Sequence, residues 1–593
     1  MIKSLSRTFI IFKMYRGRLI LSQILLLISA ASTIGVASLI QKLINQGILA
    51  NNLDVIVDTG LWMAGLALVG GLSMATTAAL AVFFAQGVAF GLRKYAYDNI
   101  QRFSFANFDV LRTGNMLVRL SSDVNYVMLA ILYMVMLVLY APFMVLVALT
   151  LTAIFAPSMF WVLLLAATMV LGFMALLLPS LVKAYDERQE KLSNLNNTMQ
   201  ENLAGMRVVK AFVQEDQEIA KFDRRAQAMR KPAYRAAVRV AMMNPMLISI
   251  TQFFIALTLW TGGKQVIQNM GLEVGQVVMV MQYLTMIIMP LSMLAIAVPF
   301  ILRGDTSAQR IFEIIDATPF VKDQPEARPL DPATVKGRVA FENVSFAFRR
   351  PDGKLDPPAL KNINLTIEPG ERVGFLGATG AGKSALVNLI PRFYDVTEGR
   401  ITIDGVDVRD IPQENLRQMV GIALQEALLF QGTVHFNLKF ANPEVHDDVM
   451  IGASRAADAF EFVMALPHQW DAPVARRGYN FSGGQRQRLA IARTLTAQPR
   501  ILILDDSTSA LDVATEARVQ DAIPDFTDNV TTLYVAQRIS AVLDLDKIVL
   551  LQNGEIIAQG AHEELMRSSK LYQEIYESQL GAGLKPSGQE VTA

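Results

Sequence analysis

Long apolar stretches fill the first half of the chain and short ones the second. Six segments, Leu19–Ile44, Val55–Gln86, Met128–Phe155, Met159–Leu178, Met246–Ile267 and Gln276–Leu302, can each supply the roughly 20 apolar residues that cross a bilayer as a helix. No Asp, Glu, Lys or Arg falls between Leu19 and Gln41, between Met128 and Phe155, or between Met159 and Leu178. A water-soluble core could hold one such helix, but six of them predict a membrane domain. Two connections, about 40 and 60 residues long, keep a helical pattern with few breakers, as in "KLSNLNNTMQENLAGMRVVKAFVQEDQEIAKF". They are predicted to carry the spans onward as helices, because structureless loops of that length are uncommon. After Arg303 the pattern changes. Residues 321–337 are rich in Pro and charge and read as a linker. From Val339 short Val/Ile/Leu runs alternate with helical patterns, which predicts an α/β domain with a largely parallel sheet. The expected organisation is an α-helical membrane domain over 1–320, a linker over 321–337, an α/β domain over 338–580 and a disordered tail over 581–593.

Composition agrees with a membrane protein. Only 18% of the 593 residues are charged and 52% are hydrophobic, against about 25% charged in soluble chains. The net charge of +1 gives no case for a nucleic-acid partner. The absence of cysteine excludes disulfides, thiolate metal sites and cysteine nucleophiles, and four scattered histidines argue against zinc. The first apolar run has no small-residue cleavage site, so no cleavable signal is expected. Lys3, Arg7, Lys13, Arg16 and Arg18 precede the first span, and Arg93, Lys94, Arg102, Arg112 and Arg119 follow the second. Ten more cations lie between Lys183 and Lys231, whereas the connections at 46–54 and 156–158 have none. This asymmetry predicts both termini and both long connections on the cytoplasmic side of a cell membrane.

The chemistry concentrates in the second half. "GATGAGKS", Gly377 to Ser384, fits G-x-x-x-x-G-K-[ST], follows the apolar run "RVGFLG" and opens the helical pattern "SALVNLI". Glycines let backbone N–H groups approach phosphates, and a helix start adds its positive end. Lys383 can reach the β- and γ-phosphates, and the Ser384 hydroxyl can ligate Mg²⁺. The run "ILILDD" reads as a strand buried on both faces, with Asp505 at its C-terminal end as the magnesium-side acid. Between these, "YNFSGGQRQRLAIART" places Ser-Gly-Gly at the start of a helix, a second anion cradle.

These motifs together resemble the ATP-binding cassette exporters, in the half-transporter form with six spans and one nucleotide-binding domain. The resemblance covers nearly the whole chain. "NFSGGQ" resembles the signature L-S-G-G-Q, with Ser482, Gly483, Gly484 and Gln485 intact and Phe481 at its first position. "TGNMLVRLSSDV" and "QENLAGMRVVKAFVQEDQEIAKF" resemble the two cytoplasmic connections. The resemblance implies ATP and Mg²⁺ as cofactors. It places Gly377, Gly380, Gly382, Lys383, Ser384 and Ala385 on the phosphates, and Ser384, Gln425 and Asp505 beside the metal. It also implies that Ser482 to Gln485 face the ATP of a second half-transporter, and that Ser509, Ala510, Leu511 and Asp512 form the contact loop toward that partner. ATP-driven closure of two such halves then turns a cavity from one side of the membrane to the other.

Four positions depart from the family pattern. Phe348 replaces the usual Tyr but keeps a π-face for adenine. Arg476 replaces a Glu before the signature. Asp506 replaces the usual Glu after the magnesium-side acid, and Gln537 replaces the usual His. Asp falls about 1 Å short of the attacking water, a misplacement that can cost on the order of 10²-fold. Gln537 can donate to a phosphate oxygen but cannot carry a proton. Two losses in one catalytic pair, beside an intact signature, are expected of the subunit of a heterodimeric exporter that contributes the Walker half of a degenerate site. Two other readings are a slow homodimeric exporter and an ATP-sensing or channel-gating module that does not pump. No acid lies near mid-membrane, which favours apolar or amphipathic cargo such as a drug, lipid or peptide over a cation.

Overall fold

The computed structural model describes residues 3–11, 16–111, 113–350, 352–527 and 529–581. Lys13, Arg112 and all of the expected tail but Gly581 lie outside these. The described residues form two compact units, Met1–Gln101 with Gly114–Ala317, and Arg102–Thr113 with Thr318–Ala593.

The first unit carries six helices long and apolar enough to cross a membrane: Arg16–Ile48, Leu53–Ile100, Thr113–Phe155, Pro157–Ala204, Glu215–Ile267 and Val274–Ile315. The 48-residue helix Leu53–Ile100 is roughly 72 Å long at 1.5 Å per residue, more than twice the hydrocarbon thickness. The long connections are thus built from helices that outrun their apolar segments. The helices pack in pairs, Arg16–Lys42 along Leu53–Ile100 and Phe160–Ala204 along Glu215–Ile267. Polar groups join them: Gln23 Nε2 donates to the Val135 carbonyl at 3.0 Å and Thr77 Oγ1 to that of Ser22 at 3.3 Å. Hydroxyls and amides used this way cross-link transmembrane helices.

The chain divides at 317/318, and Arg102–Thr113 belongs to the second unit. The cause is tertiary contact. Phe105, on the short helix Phe105–Leu111, stacks on Phe393 at 4.2 Å between ring centroids. The Tyr394 hydroxyl bonds Asp109 Oδ2 at 2.9 Å. Asn107 donates to the Thr318 carbonyl and accepts from the Phe320 amide, which ties the start of the linker region to the same helix.

Twelve strands build the second unit. The first six are β1 (Val339–Phe346), β2 (Leu360–Ile367), β3 (Arg372–Leu376), β4 (Glu398–Ile403), β5 (Val406–Asp407) and β6 (Val420–Ala423). The others are β7 (Gly432–Thr433), β8 (Pro473–Val474), β9 (Ile501–Asp505), β10 (Thr531–Val535), β11 (Lys547–Gln552) and β12 (Glu555–Gly560). The largest sheet runs β12-β11-β3-β10-β9-β6, parallel except for the edge pair β11–β12. A four-stranded antiparallel sheet, β2-β1-β4-β5, accompanies it.

The apolar run 501–504 shows why the larger sheet is buried on both sides. Ile501 and Ile503 point into one core with Phe341 and Leu386, while Leu502 and Leu504 point into another with Leu489 and Ile523. Alternation of side chains across a pleated strand makes such a run serve two cores at once.

Candidate nucleotide site

Four neighbouring parallel strands, β3, β10, β9 and β6, end on one edge of the large sheet, and each delivers one part of the site from its C-terminal end. After β3 comes the glycine loop and the helix Lys383–Leu389. After β10 comes Gln537, at the end of β9 the pair Asp505–Asp506, and after β6 Gln425. Ligands bind at this end of open α/β sheets.

The loop needs its glycines. Gly380 and Gly382 have φ of +84° and +105°, conformations in which a Cβ is strained. A Cβ on Gly382 would lie 2.8 Å from the Ala359 carbonyl, which is backbone and cannot swing away. Gly382→Ala should therefore cost more than the roughly 1–2 kcal/mol of the backbone conformation alone and weaken ATP binding. Denaturant unfolding and nucleotide titration of the purified variant check this.

Lys383 is 7% exposed, and its ammonium donates to the carbonyls of Gly377 at 2.5 Å and Ala378 at 3.2 Å. Burial pushes its pKa down, while Asp506 and Asp505 pull it up. Ser384 Oγ donates to Asp505 Oδ1 at 2.9 Å. Asp505 is 4% exposed, and burial pushes its carboxyl above the ordinary range, with the Ser384 hydrogen bond opposing. A buried acid paired with a hydroxyl beside a phosphate loop is an oxygen donor set suited to a hard divalent cation that keeps water and phosphate ligands. The residues thus fit a Mg²⁺–nucleotide, although among the described residues no three His, Asp or Glu side chains gather as a self-contained metal cage.

Asp506 lies beside this pair with φ of +48°. One oxygen, Oδ2, accepts from two side-chain amides, Gln425 Nε2 at 3.1 Å and Gln537 Nε2 at 3.0 Å. Burial pushes its carboxyl up, against the Gln425 hydrogen bond, Lys383 and the Gln537 hydrogen bond. Gln425 therefore contacts Asp506, not Ser384 or Asp505.

The signature forms a separate cluster. Ser482 caps the helix Gly483–Thr496: its hydroxyl accepts from the Gln485 amide at 3.2 Å, and Gln485 Oε1 accepts from the Ser482 amide at 2.9 Å. Gln487, one turn along, accepts from the Ala510 amide at 2.9 Å and approaches Ser509 Oγ at 3.4 Å. Ser509 in turn donates to the Asp506 carbonyl at 2.8 Å. Leu511 is buried, and Asp512 caps the helix Val513–Phe526 by accepting from Thr515. All four residues from Ser509 to Asp512 thus have contacts within their own domain. Phe348 is half-buried, edge-on to Phe346 and Tyr394 at 4.8 and 5.5 Å. Ala385 is buried behind the loop. Arg476 is exposed at the start of a single 3₁₀ turn, and nothing in the structure explains its charge. Sequence reasoning missed Gln487, whose only signal was its place in "SGGQRQR".

The ABC transporter transmembrane region matches residues 19–291, and the ABC transporter domain matches residues 360–509. The chain belongs to the ABC transporter family, among its exporters. It is 34% identical over 543 residues to the ABC transporter ATP-binding protein YfiB of Bacillus subtilis (strain 168), covering 92% of this chain and 93% of that one. It is 33% identical over 566 residues to an ATP-dependent lipid A-core flippase of Syntrophus aciditrophicus (strain SB), covering 95% and 92%. Among solved structures, a bacterial Atm1-family ABC exporter with ATP bound superposes with a TM-score of 0.79 at 26% identity, covering 96% of this chain and 99% of that one. This multi-pass exporter subunit uses ATP and Mg²⁺.

Proposed function

We propose that this chain is one half of an ATP-driven exporter that moves an apolar or amphipathic molecule out of the cytoplasm or the inner leaflet. In this reading Gly377 to Ala385 hold the phosphates, Phe348 stacks on adenine, and Ser384 and Asp505 stand beside Mg²⁺, with Gln425 close by. Ser482 to Gln485 serve the ATP of a second half-transporter, and Ser509 to Asp512 meet that partner. Asp506 and Gln537 occupy the positions of general base and γ-phosphate contact, in a degenerate site that holds ATP and hydrolyses it slowly.

The observation that carries the degenerate site is the Asp506 carboxylate, short by a methylene and held through one oxygen by two glutamine amides. Neither amide can accept a proton, so neither hydrogen-bond partner of this oxygen can relay one. A partner chain with a complete base would perform most turnover, completed by this chain's signature. The lack of acids near mid-membrane fits an apolar or amphipathic cargo, and the flippase relative acts on a lipid. The basic connections support a cell-membrane protein with both termini in the cytoplasm.

The test is ATP turnover of the purified chain alone and combined with a second half-transporter bearing Glu and His at the equivalent places. The chain alone should turn over slowly and the pair fast. Full turnover by the chain alone, abolished by Asp506→Asn, would replace the degenerate site with a homodimer that uses Asp506 as its base.

A further inference from the structure

We infer that Gln579, on the C-terminal helix Lys570–Leu580, is a positioning residue that sets the loop carrying Gln537. The inference rests on the role proposed above for Gln537. The Ile539 amide donates to Gln579 Oε1 at 2.7 Å, and Gln579 Nε2 donates to the Gln537 carbonyl at 3.1 Å. One primary amide thus pairs with the carbonyl of one residue and the N–H of the residue two further on. That is the pattern by which a residue of a parallel strand bonds the two residues that flank its opposite number on the neighbouring strand. Here β10 has already ended at Val535, and a side chain forty residues away takes the place of a strand.

The rest of the loop is held as well. Arg538 donates to Glu516 Oε2 at 2.6 Å, Glu516 is 4% exposed, and its other oxygen accepts from Thr508 at 2.5 Å. So the Gln537 carbonyl, the Arg538 side chain and the Ile539 amide each have an anchor, while the Gln537 side chain projects to Asp506 at 3.0 Å. The brace itself stands on a fixed base. Tyr572 is fully buried with its hydroxyl 2.8 Å from His562 Nδ1, and Leu571, Ile575, Tyr576 and Leu580 pack on the domain core. An open cleft lined by Gly377, Ala378, Thr379, Gln537, Ile575 and Gln579 separates this helix from the phosphate loop. Removal of the Gln579 amide would leave the amide of the buried Ile539 without its protein acceptor. Only Gln among residues of this length offers both a donor and an acceptor at one planar terminus, and Glu keeps the acceptor alone.

The experiment uses the full chain in lipid nanodiscs, with amide hydrogen exchange over 537–542 and steady-state ATP turnover. Gln579→Leu should speed exchange of the Ile539 amide and lower kcat, each by about two- to tenfold, the worth of a hydrogen bond or two, with KM for ATP within twofold. Gln579→Glu, which keeps size and the bond to Ile539, should protect that amide while still lowering kcat. Added to Gln537→Ala, Gln579→Leu should lower turnover no further. Unchanged exchange and unchanged kcat in Gln579→Leu, with Gln537→Ala still impaired, overturns the brace. If Gln537→Ala alone leaves turnover untouched, the role of Gln537 falls, and exchange at Ile539 then decides the brace by itself.

Discussion

The double change Asp506→Glu with Gln537→His should raise ATP turnover of the purified chain by about 10²-fold and leave ATP affinity within a few-fold. The reason lies in reach and in proton capacity. Asp506 Oδ2 is fixed 3.0–3.1 Å from the amides of Gln537 and Gln425, just past the end of β9. A Glu extends the same vector by one methylene, about the 1 Å whose loss can cost on the order of 10²-fold. Base assistance of roughly 10²–10⁴-fold is available once the carboxylate reaches the water, so the gain lies at the low end of what chemistry permits. His at 537 removes one of the two amides that occupy the carboxylate and adds a group that can carry charge. Binding is spared because Lys383, Ser384 and Asp505 make no hydrogen bond to either altered side chain. Phosphate release in nanodiscs measures it. A double variant no faster than the natural chain would show that residues 506 and 537 do not limit turnover.

The parts of the site that sequence reveals are those made by local backbone. The run Gly377 to Ser384 specifies its own loop, because Gly380 and Gly382 need positive φ and Lys383 turns back onto the carbonyls of the same eight residues. The apolar run 501–504 specifies a strand with two buried faces, and Asp505 follows at its end. What sequence left hidden is carried by long-range contacts between ordinary residues. Tyr394 and Asp109 are 285 residues apart and draw the helix Phe105–Leu111 into the second unit. Nothing in "FANFDVL" marks it as anything but a connection between spans. Gln579 sits in a polar helix face with no motif around it, and only its two hydrogen bonds reveal its loop. Asp512 has a role its motif does not announce: "SALD" reads as a partner contact, and its last residue is also a helix cap within its own domain. The six spans were visible because hydropathy records a lipid-facing surface directly. Their extension past the bilayer follows from the helical pattern, not from hydropathy.

Lys383→Ala should lower ATP affinity by about 10²–10³-fold without unfolding the domain. Its ammonium is held by two carbonyls of the phosphate loop at 2.5 and 3.2 Å, so it occupies the loop's interior before any phosphate arrives. Asp505 and Asp506 both act on its pKa, so it is the cation that balances them. Truncation therefore has two consequences of the same sign. It deletes a charged hydrogen bond to phosphate, worth roughly 1.5–3 kcal/mol. It also leaves two adjacent acids facing an incoming polyanion, a like-charge interaction of about 1 kcal/mol or more even when well screened. The fold should hold, because the helix serves the core on its side of the sheet through Leu386, Val387 and Leu389, further along than Lys383. Asp506→Asn separates the two effects: it removes one negative charge and keeps the lysine, so ATP should bind as tightly as to the natural chain or slightly tighter. Titration with a fluorescent ATP analogue orders the three proteins. Equal affinity for the natural chain and Lys383→Ala would mean that the phosphates are held by the glycine loop and Ser384 alone, and that the buried ammonium serves only to shape the loop.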